Sequence, residues 1–185
     1  LEVKPIKVKG EDNEKSQKDE NLKNSKEVEK RRYIEETQKN FVGSAGERYL
    51  NERGIRTETA KKNGVGYDEK SLSLVFEYHE KNYYITRSIE NKTYRKPAGE
   101  TEPLYEIGEK SEKIAYVTEG QIDALSLLQA GAKRVVAIGG GGTTKLKELS
   151  PKPVRAIIVC DNDEAGVKTG ERIKNELEKV EISCL

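Results

Sequence analysis

Two stretches of the sequence decide the fold: residues 113–123, KIAYVTEGQID, and residues 154–166, VRAIIVCDNDEAG. Each contains a short, almost wholly apolar run, at residues 114–117 and 156–160, and a third such run covers residues 135–138. Runs of this kind are typical of strands that are buried on both faces of a parallel sheet. They begin at even intervals and are separated by amphipathic stretches. We therefore predict repeated strand–helix units with right-handed crossovers.

The predicted helices around this sheet are the amphipathic stretches at residues 124–130, 145–149 and 165–179. The last of them carries apolar residues at helical spacing along one face. A strand-like run at residues 180–185 follows it. We expect the chain to stop within or just after the last strand of the domain, so that a domain over residues 111–185 is truncated at its C terminus.

The upstream half has a different pattern. About half of the side chains in residues 1–40 are charged, and residues 1–26 have the composition of a linker. Helix formers accumulate from about Ser25, so we predict a charged linker or helical arm over residues 1–40. Alternating apolar residues predict a hairpin across residues 72–85, with a further strand near residues 93–94 and a loop after it. Residues 41–110 are thus predicted to form a small α+β subdomain.

Composition excludes several classes of protein. The sequence has 34 Lys+Arg against 33 Asp+Glu, so nucleic-acid binding would need a local basic patch. Two cysteines, Cys160 and Cys184, and one histidine, His79, exclude a disulfide framework and a four-ligand zinc site of the Cys/His type. No apolar run is long enough to span a bilayer. We expect no signal peptide, a cytoplasmic location, and, since Met is absent, a piece of a longer chain.

Carboxylates follow two of the predicted strands. Glu119 comes directly after the first strand, with Asp123 one helical turn later, and Asp161 and Asp163 come after the third. Parallel strands present their carboxyl ends at one edge of a sheet, where ligands bind. Carboxylates that share an edge repel one another unless a cation lies between them, and such oxygen ligands suit Mg²⁺ or Mn²⁺.

Two alternatives stay open at this edge. Asp163 could be a helix N-cap and Asp123 a first-turn charge favoured by the helix dipole. Glu119 and Asp161 are not explained in this way. We expect both to lie at buried strand ends, where an unpaired charge is costly.

The two acidic elements together resemble a known family. Residues 117–124, VTEGQIDA, and residues 159–166, VCDNDEAG, are similar to the paired motifs of the Toprim domain, and more narrowly to those of bacterial DNA primases and phage primase–helicases. Upstream segments, among them residues 49–55 and 92–105, are similar to the subdomain that precedes Toprim in primases. The resemblance covers about residues 40–183. It implies an α/β fold in which a small α+β subdomain precedes a Toprim-like parallel sheet flanked by helices.

The resemblance also implies an activity. This is template-directed synthesis of short RNA primers from NTPs on single-stranded DNA, by two-metal nucleotidyl transfer with Mg²⁺ or Mn²⁺. Glu119, Asp161 and Asp163 would be catalytic and would hold the metal together with Asp123. A replicative helicase and an upstream zinc-binding module outside this chain would be partners, and we expect no membrane partner. The cytoplasm would be that of a bacterium or a phage-infected host.

A local basic group lies in the predicted hairpin region. Arg87, Lys92, Arg95 and Lys96 are opposed there by Glu90 alone. The resemblance implies that Arg87, Arg95 and Lys96 bind the nucleotide. It also implies that Arg87 and Lys92 bind the DNA. The alternative is an ordinary solvated hairpin face.

A glycine-rich loop, IGGGGTT at residues 138–144, joins a predicted strand to a predicted helix start. It fits neither the P-loop pattern nor G-x-G-x-x-G. We predict that backbone N–H groups of Gly140, Gly141 and Gly142 approach a phosphate, aided by the dipole of a helix capped by Thr143 or Thr144. A tight turn without a ligand is the alternative.

Two other functions remain open for the chain as a whole. A Toprim nuclease would use the same acidic edge without needing the basic hairpin. A non-catalytic replication module that positions a helicase would bind no metal.

Overall fold

The computed structural model describes residues 11–79 and 81–185, without the side chains of residues 11–21, 23 and 141. Expectations for residues 1–10 lie outside the described residues. The helices are α1 (Glu11–Lys39), α2 (Ala45–Glu52), α3 (Thr57–Lys62), α4 (Gln121–Gln129) and α5 (Glu164–Glu178). The strands are β1 (Val65–Asp68), β2 (Ser73–Tyr78), β3 (Tyr83–Ser88), β4 (Tyr94–Arg95), β5 (Tyr105–Gly108), β6 (Ile114–Thr118), β7 (Arg134–Ala137), β8 (Arg155–Val159) and β9 (Ser183–Cys184). Two 3₁₀ turns, Gly139–Gly141 and Thr143–Glu148, connect β7 to β8.

The second sheet has the strand order β5-β7-β6-β8-β9. Strands β7, β6, β8 and β9 run parallel, and β5 pairs antiparallel with β7 at one edge. The predicted α/β fold with a parallel sheet is confirmed. The sheet begins earlier than the predicted boundary at residue 110, because β5 (Tyr105–Gly108) already belongs to it.

Helices cover both faces of this sheet, which explains why its central strands β6, β7 and β8 are mostly apolar. On β7, Val136 packs in one core with Ile173 and Leu177 of α5. The neighbouring residue Val135 points to the opposite face and packs in another core with Leu125 of α4. A parallel sheet covered on both faces therefore places its ligand-binding positions at the strand ends.

The first sheet is antiparallel, in the order β1-β2-β3-β4. Strands β2 and β3 form the predicted hairpin, with Phe76 opposite Ile85, and β4 confirms the predicted strand after it. The two sheets share a core, since the ring of Tyr105 in β5 lies 6.2 Å from that of Phe76 and 5.1 Å from that of Tyr78. The first sheet is thereby fixed against the second.

Helix α1 covers the outer face of the first sheet. It begins at Glu11, so residues 11–39 follow the helical-arm alternative of the prediction and not the linker. Its C-terminal half contacts β2 through Glu77, a buried carboxylate that accepts hydrogen bonds from Arg31 Nη1 at 2.5 Å and Gln38 Nε2 at 2.6 Å. Because of this cover, β2 is buried on both faces, including its polar residues Ser73 and Glu77. Neither α1 nor any other helix in the described ranges is long and apolar enough to cross a membrane.

The close approach of α1 to β1 at Gly66 gives a stability prediction. A Cβ added there would lie 2.5 Å from Thr37 Oγ1 and 2.8 Å from the Thr37 backbone carbon, so Gly66→Ala must displace the helix. We expect a loss of about 1–3 kcal/mol in the free energy of unfolding, measured with urea.

Gly170→Ala is the matched control for this substitution. A Cβ at Gly170, inside α5, would make ordinary contacts of 3.8 Å with Cys160 and Ile158. Removing a mid-helix glycine is expected to stabilise the protein by about 0.5–1 kcal/mol. Equal stability of Gly66→Ala and the unsubstituted protein would contradict the proposed contact.

Candidate active site

The loops after β6 and β8 meet at one end of the second sheet. Parallel pairing of the two strands sets Thr118 opposite Val159, so the residues that follow emerge side by side. The Asp161 N–H donates to Oε1 of Glu119 at 3.4 Å. The Gly139 N–H donates to the Glu119 backbone carbonyl at 3.0 Å, which adds the glycine-rich loop to the same place. The structure thus brings three predicted loops together around Glu119.

Burial at this edge differs from expectation. Glu119 is half-buried, whereas Asp161 is exposed. Asp161 therefore does not lie at a buried strand end, where an unpaired charge would be costly. The reason is that β8 ends at Val159 and Asp161 stands in the turn beyond it. Water solvates the charge of Asp161, which therefore needs no partner within the protein.

The carboxylates of this edge interact electrostatically. Burial raises the pKa of the Asp123 carboxyl, and the negative charges of Asp161 and Glu119 raise it further. Burial and the same two charges also raise the pKa of the Cys160 thiol to about 11. The thiol is therefore neutral at pH 7, and the free acidic groups of this edge are carboxylates.

Asp163 is the N-cap residue of helix α5. Its Oδ1 accepts a hydrogen bond from the Gly166 N–H at 2.7 Å, which is the N-cap arrangement that the sequence left open. Asp123 lies in the first turn of α4, as expected from the alternative in which it is a charge favoured by the helix dipole. Capping engages one carboxylate oxygen of Asp163 and leaves the other without a backbone partner.

The donor set at this edge fits a hard divalent cation by its chemistry. Glu119, Asp123 and Asp161 offer oxygen ligands only, and their mutual repulsion would be relieved by a positive ion. Within the described residues, no three or more His, Cys, Asp or Glu side chains are gathered in a group ready to hold a metal. The carboxylates are thus suitable in kind, and their side chains would have to converge to bind.

A cavity of about 440 Å³ lies between the first sheet and the ends of β6 and β7. Its wall on the side of the second sheet includes Glu119, Gly120 and Asp123. The opposite wall is formed by the region of β4 and contributes Tyr94, Arg95 and Lys96 among others. The cavity thus brings predicted acidic and basic site residues together. The other predicted side chains of the site do not line it: Arg87, Lys92, Asp161 and Asp163.

The glycine-rich loop differs from its predicted form. Gly142, with φ of 79°, precedes the 3₁₀ turn Thr143–Glu148, and no side chain caps this turn, so the expected capping by Thr143 or Thr144 is wrong. A six-residue 3₁₀ turn also aligns fewer peptide dipoles than a longer α-helix, so the dipole that the prediction invoked is weaker here. Phosphate binding by Gly140, Gly141 and Gly142 stays a prediction that depends on backbone N–H groups alone.

Arg87 is buried, with 7% of its surface exposed. Its Nη1 donates to the Tyr49 hydroxyl at 2.6 Å, and its guanidinium lies 5.5 Å from the ring centres of both Tyr49 and Tyr94. The structure therefore holds Arg87 behind the cavity wall. Lys92 is exposed in the turn between β3 and β4, and Arg95 and Lys96 are exposed at the cavity.

Sequence reasoning missed a buried polar network on the cavity floor. The Tyr78 hydroxyl donates to Oε1 of Glu102 at 2.6 Å and accepts from Gln121 Nε2 at 2.9 Å. Glu102 is 4% exposed. Gln121 stands between Glu119 and Asp123 in the acidic motif, which is the single signal that could have pointed to it. Nothing distinguishes Glu102 from the exposed glutamates nearby in sequence.

The electrostatic coupling predicts a pKa change. In metal-free protein, Asp161→Asn removes one repelling charge, so the pKa of Asp123 should fall towards its usual value, as measured by NMR titration of the carboxyl carbon. Because the raised pKa makes the folded protein bind the proton more tightly than the unfolded chain, stability falls as pH rises through this range. That fall should be smaller in Asp161→Asn. Glu164→Gln is the control, and an unchanged Asp123 pKa in Asp161→Asn would contradict the coupling.

The packing of Arg87 predicts a structural cost. Arg87→Met removes the hydrogen bond to Tyr49 and the cation–π contacts, and we expect it to lower the free energy of unfolding by about 1–3 kcal/mol. Lys92→Met, at the exposed turn, should change it by less than about 0.5 kcal/mol. Urea unfolding of both variants tests this, and equal effects would argue against a packing role.

Comparison with known proteins agrees with this geometry. Residues 116–185 match the family model Toprim_2, described as Toprim-like. No curated protein sequence matches the chain at a significant level.

Solved structures of primases have a similar fold. The zinc-binding and RNA polymerase domains of the Aquifex aeolicus primase superpose with a TM-score of 0.72 at 21% identity, covering 85% of this chain and 53% of that one. A DnaG primase catalytic domain bound to single-stranded DNA gives 0.60 at 17%, covering 80% and 66%.

The primase fragment of the bacteriophage T7 primase–helicase gives 0.57 at 25% identity, covering 72% and 62%. The chain thus spans between about half and two-thirds of the length of these structures. Residues 116–185 thus match a Toprim-like family model, and the α/β fold of the chain is similar to that of solved DNA primase structures.

Proposed function

We propose that this chain is the catalytic core of a DNA primase, which synthesises short RNA primers from NTPs on a single-stranded DNA template. One observation carries the proposal: Glu119 and Asp161 meet at the carboxyl end of a parallel sheet, beside a cavity whose opposite wall holds Arg95 and Lys96. Acidic residues that bind divalent metal and basic residues that face phosphate are what nucleotidyl transfer requires.

Glu119, Asp161 and Asp163 would hold two Mg²⁺ or Mn²⁺ ions, with Asp123 as a further ligand. Such ions supply activation of the attacking 3′-hydroxyl and stabilisation of the leaving pyrophosphate. Asp163 would use the oxygen that does not cap α5. Asp123, at the cavity wall, would hold its charge once the repulsion from its neighbours is relieved.

The basic wall would bind the nucleotide. Arg95 and Lys96 are exposed at the cavity and would neutralise phosphate charge as it develops. Arg87 supports this wall through its contact with Tyr94. We propose this positioning role for Arg87 in place of direct contact with nucleotide or DNA.

The template would contact the β3–β4 turn. Lys92 stands exposed in this turn, three residues before Arg95 of β4. Contacts of this kind with phosphate weaken as salt rises. We further propose that the protein is cytoplasmic. Its partners would be a replicative helicase and an upstream zinc-binding module, both outside this chain.

Loss of Asp161 should abolish the activity without unfolding the protein. Because Asp161 is exposed, Asp161→Ala is expected to unfold in urea like the unsubstituted protein, yet to incorporate labelled NTPs into primers only at background level. The assay uses single-stranded DNA with Mg²⁺ or Mn²⁺. Asn162→Ala, the adjacent exposed position, is the matched control and should retain synthesis.

The same assay separates the alternatives. Shortening of labelled DNA without extension would replace the proposal with a nuclease. Neither extension nor degradation, combined with no Mn²⁺ binding in calorimetry, would indicate a non-catalytic module. A folded Asp161→Ala variant with normal synthesis would overturn the assignment of the site.

A further inference from the structure

A second hollow of about 280 Å³ lies on the far side of the glycine-rich loop. The loop forms one wall, and Thr169 and Arg172 of α5 form the other. Glu119 lines both this hollow and the main cavity. The glycine-rich loop therefore separates two spaces that meet at a carboxylate of the candidate site.

The side of the loop that faces the main cavity already has an anionic group against it. A Cβ at Gly139 would overlap Oε1 of Glu102, and one at Gly140 would lie 2.9 Å from Oε2, so the carboxylate rests on both glycines. Tyr78 holds Oε1, and Lys145 Nζ donates to the Glu102 backbone carbonyl. A phosphate bound to this side of Gly139 and Gly140 would meet a buried carboxylate, and like charges at short range repel.

The opposite side of the loop offers the reverse electrostatics. Each lysine of α5 and its C-cap has a carboxylate partner: Lys168 with Glu164, Lys174 with Glu178 and Lys179 with Glu176. Arg172 has none within 4.0 Å among the side chains that the structure describes. Its guanidinium instead donates to Thr169 Oγ1 at 2.9 Å and to the Lys168 carbonyl at 3.4 Å. These bonds fix a cation at the hollow without neutralising it.

We propose that this hollow is a phosphate-binding subsite, in which Arg172 and the Thr143 hydroxyl receive the terminal phosphates of a nucleoside triphosphate. The inference rests on the proposed function for the identity of the ligand, and on the geometry alone for its phosphate chemistry. Since Glu119 borders the hollow, the bound group would adjoin the metal-binding carboxylates. The subsite would also retain the pyrophosphate that nucleotidyl transfer releases.

The test compares Arg172→Ala with Lys174→Ala, which removes an exposed lysine of the same helix. Calorimetry with inorganic pyrophosphate and Mg²⁺ should show affinity on the order of tenfold weaker for Arg172→Ala, the loss expected from one charge-assisted contact. Affinity of Lys174→Ala should be unchanged. In primer synthesis, KM for NTPs should rise by a similar factor while kcat changes less than about twofold. Arg172→Lys should restore part of the affinity.

The outcomes of this test are distinguishable from failure of the proposed function. Arg172-dependent pyrophosphate binding in a protein that makes no primers would support the subsite and refute the primase assignment. Normal primer synthesis with unchanged pyrophosphate affinity and KM in a folded Arg172→Ala would refute the subsite alone. Absence of pyrophosphate binding by the unsubstituted protein would also refute it.

Discussion

Parallel pairing between β6 and β8 is the interaction on which the candidate site depends. The register sets Thr118 opposite Val159, so Glu119 and Asp161 follow their strands at the same end of the sheet. Backbone hydrogen bonds and the packing of both faces hold that register, because a slip of one residue would exchange the side chains of β8 between the two faces and disrupt their packing. The stability of the sheet thus offsets the repulsion between carboxylates at its edge.

The cavity depends on a second constraint, the shared core between the two sheets. Tyr105 belongs to β5 of the second sheet, yet its ring packs with Phe76 and Tyr78 of the first. This contact fixes the distance between the acidic edge and the basic wall around Arg95. The segment before β5 also carries Glu102, so the same contact places the carboxylate that supports the glycine-rich loop.

The sequence predicted the parts of the molecule whose environment is uniform. Strands β6, β7 and β8 are apolar on both faces, and that pattern is visible without a structure. Strand β5 was missed because it is short, follows a proline-rich loop and alternates as an edge strand does. The docking of α1 was missed because charged residues carry it, and the pair between exposed Arg31 and buried Glu77 has the same composition as a fully solvated pair.

The candidate site also contains residues that the sequence could predict and residues that it could not. Glu119, Asp123, Asp161 and Asp163 stand in motifs whose spacing follows from strand ends and helix starts, so they could be proposed from sequence. The burial of Arg87 and the isolation of Arg172 depend on which groups lie across from them, and no local pattern encodes this.

The two walls of the main cavity come from different sheets, and this has a thermodynamic consequence. A ligand that touches both Asp123 and Lys96 links the edge of the second sheet directly to the region of β4 in the first. Any compound that binds the folded form in this way stabilises it in proportion to the logarithm of its concentration relative to Kd. The melting temperature of the protein is thereby a direct reporter of cavity occupancy, including for compounds that undergo no reaction.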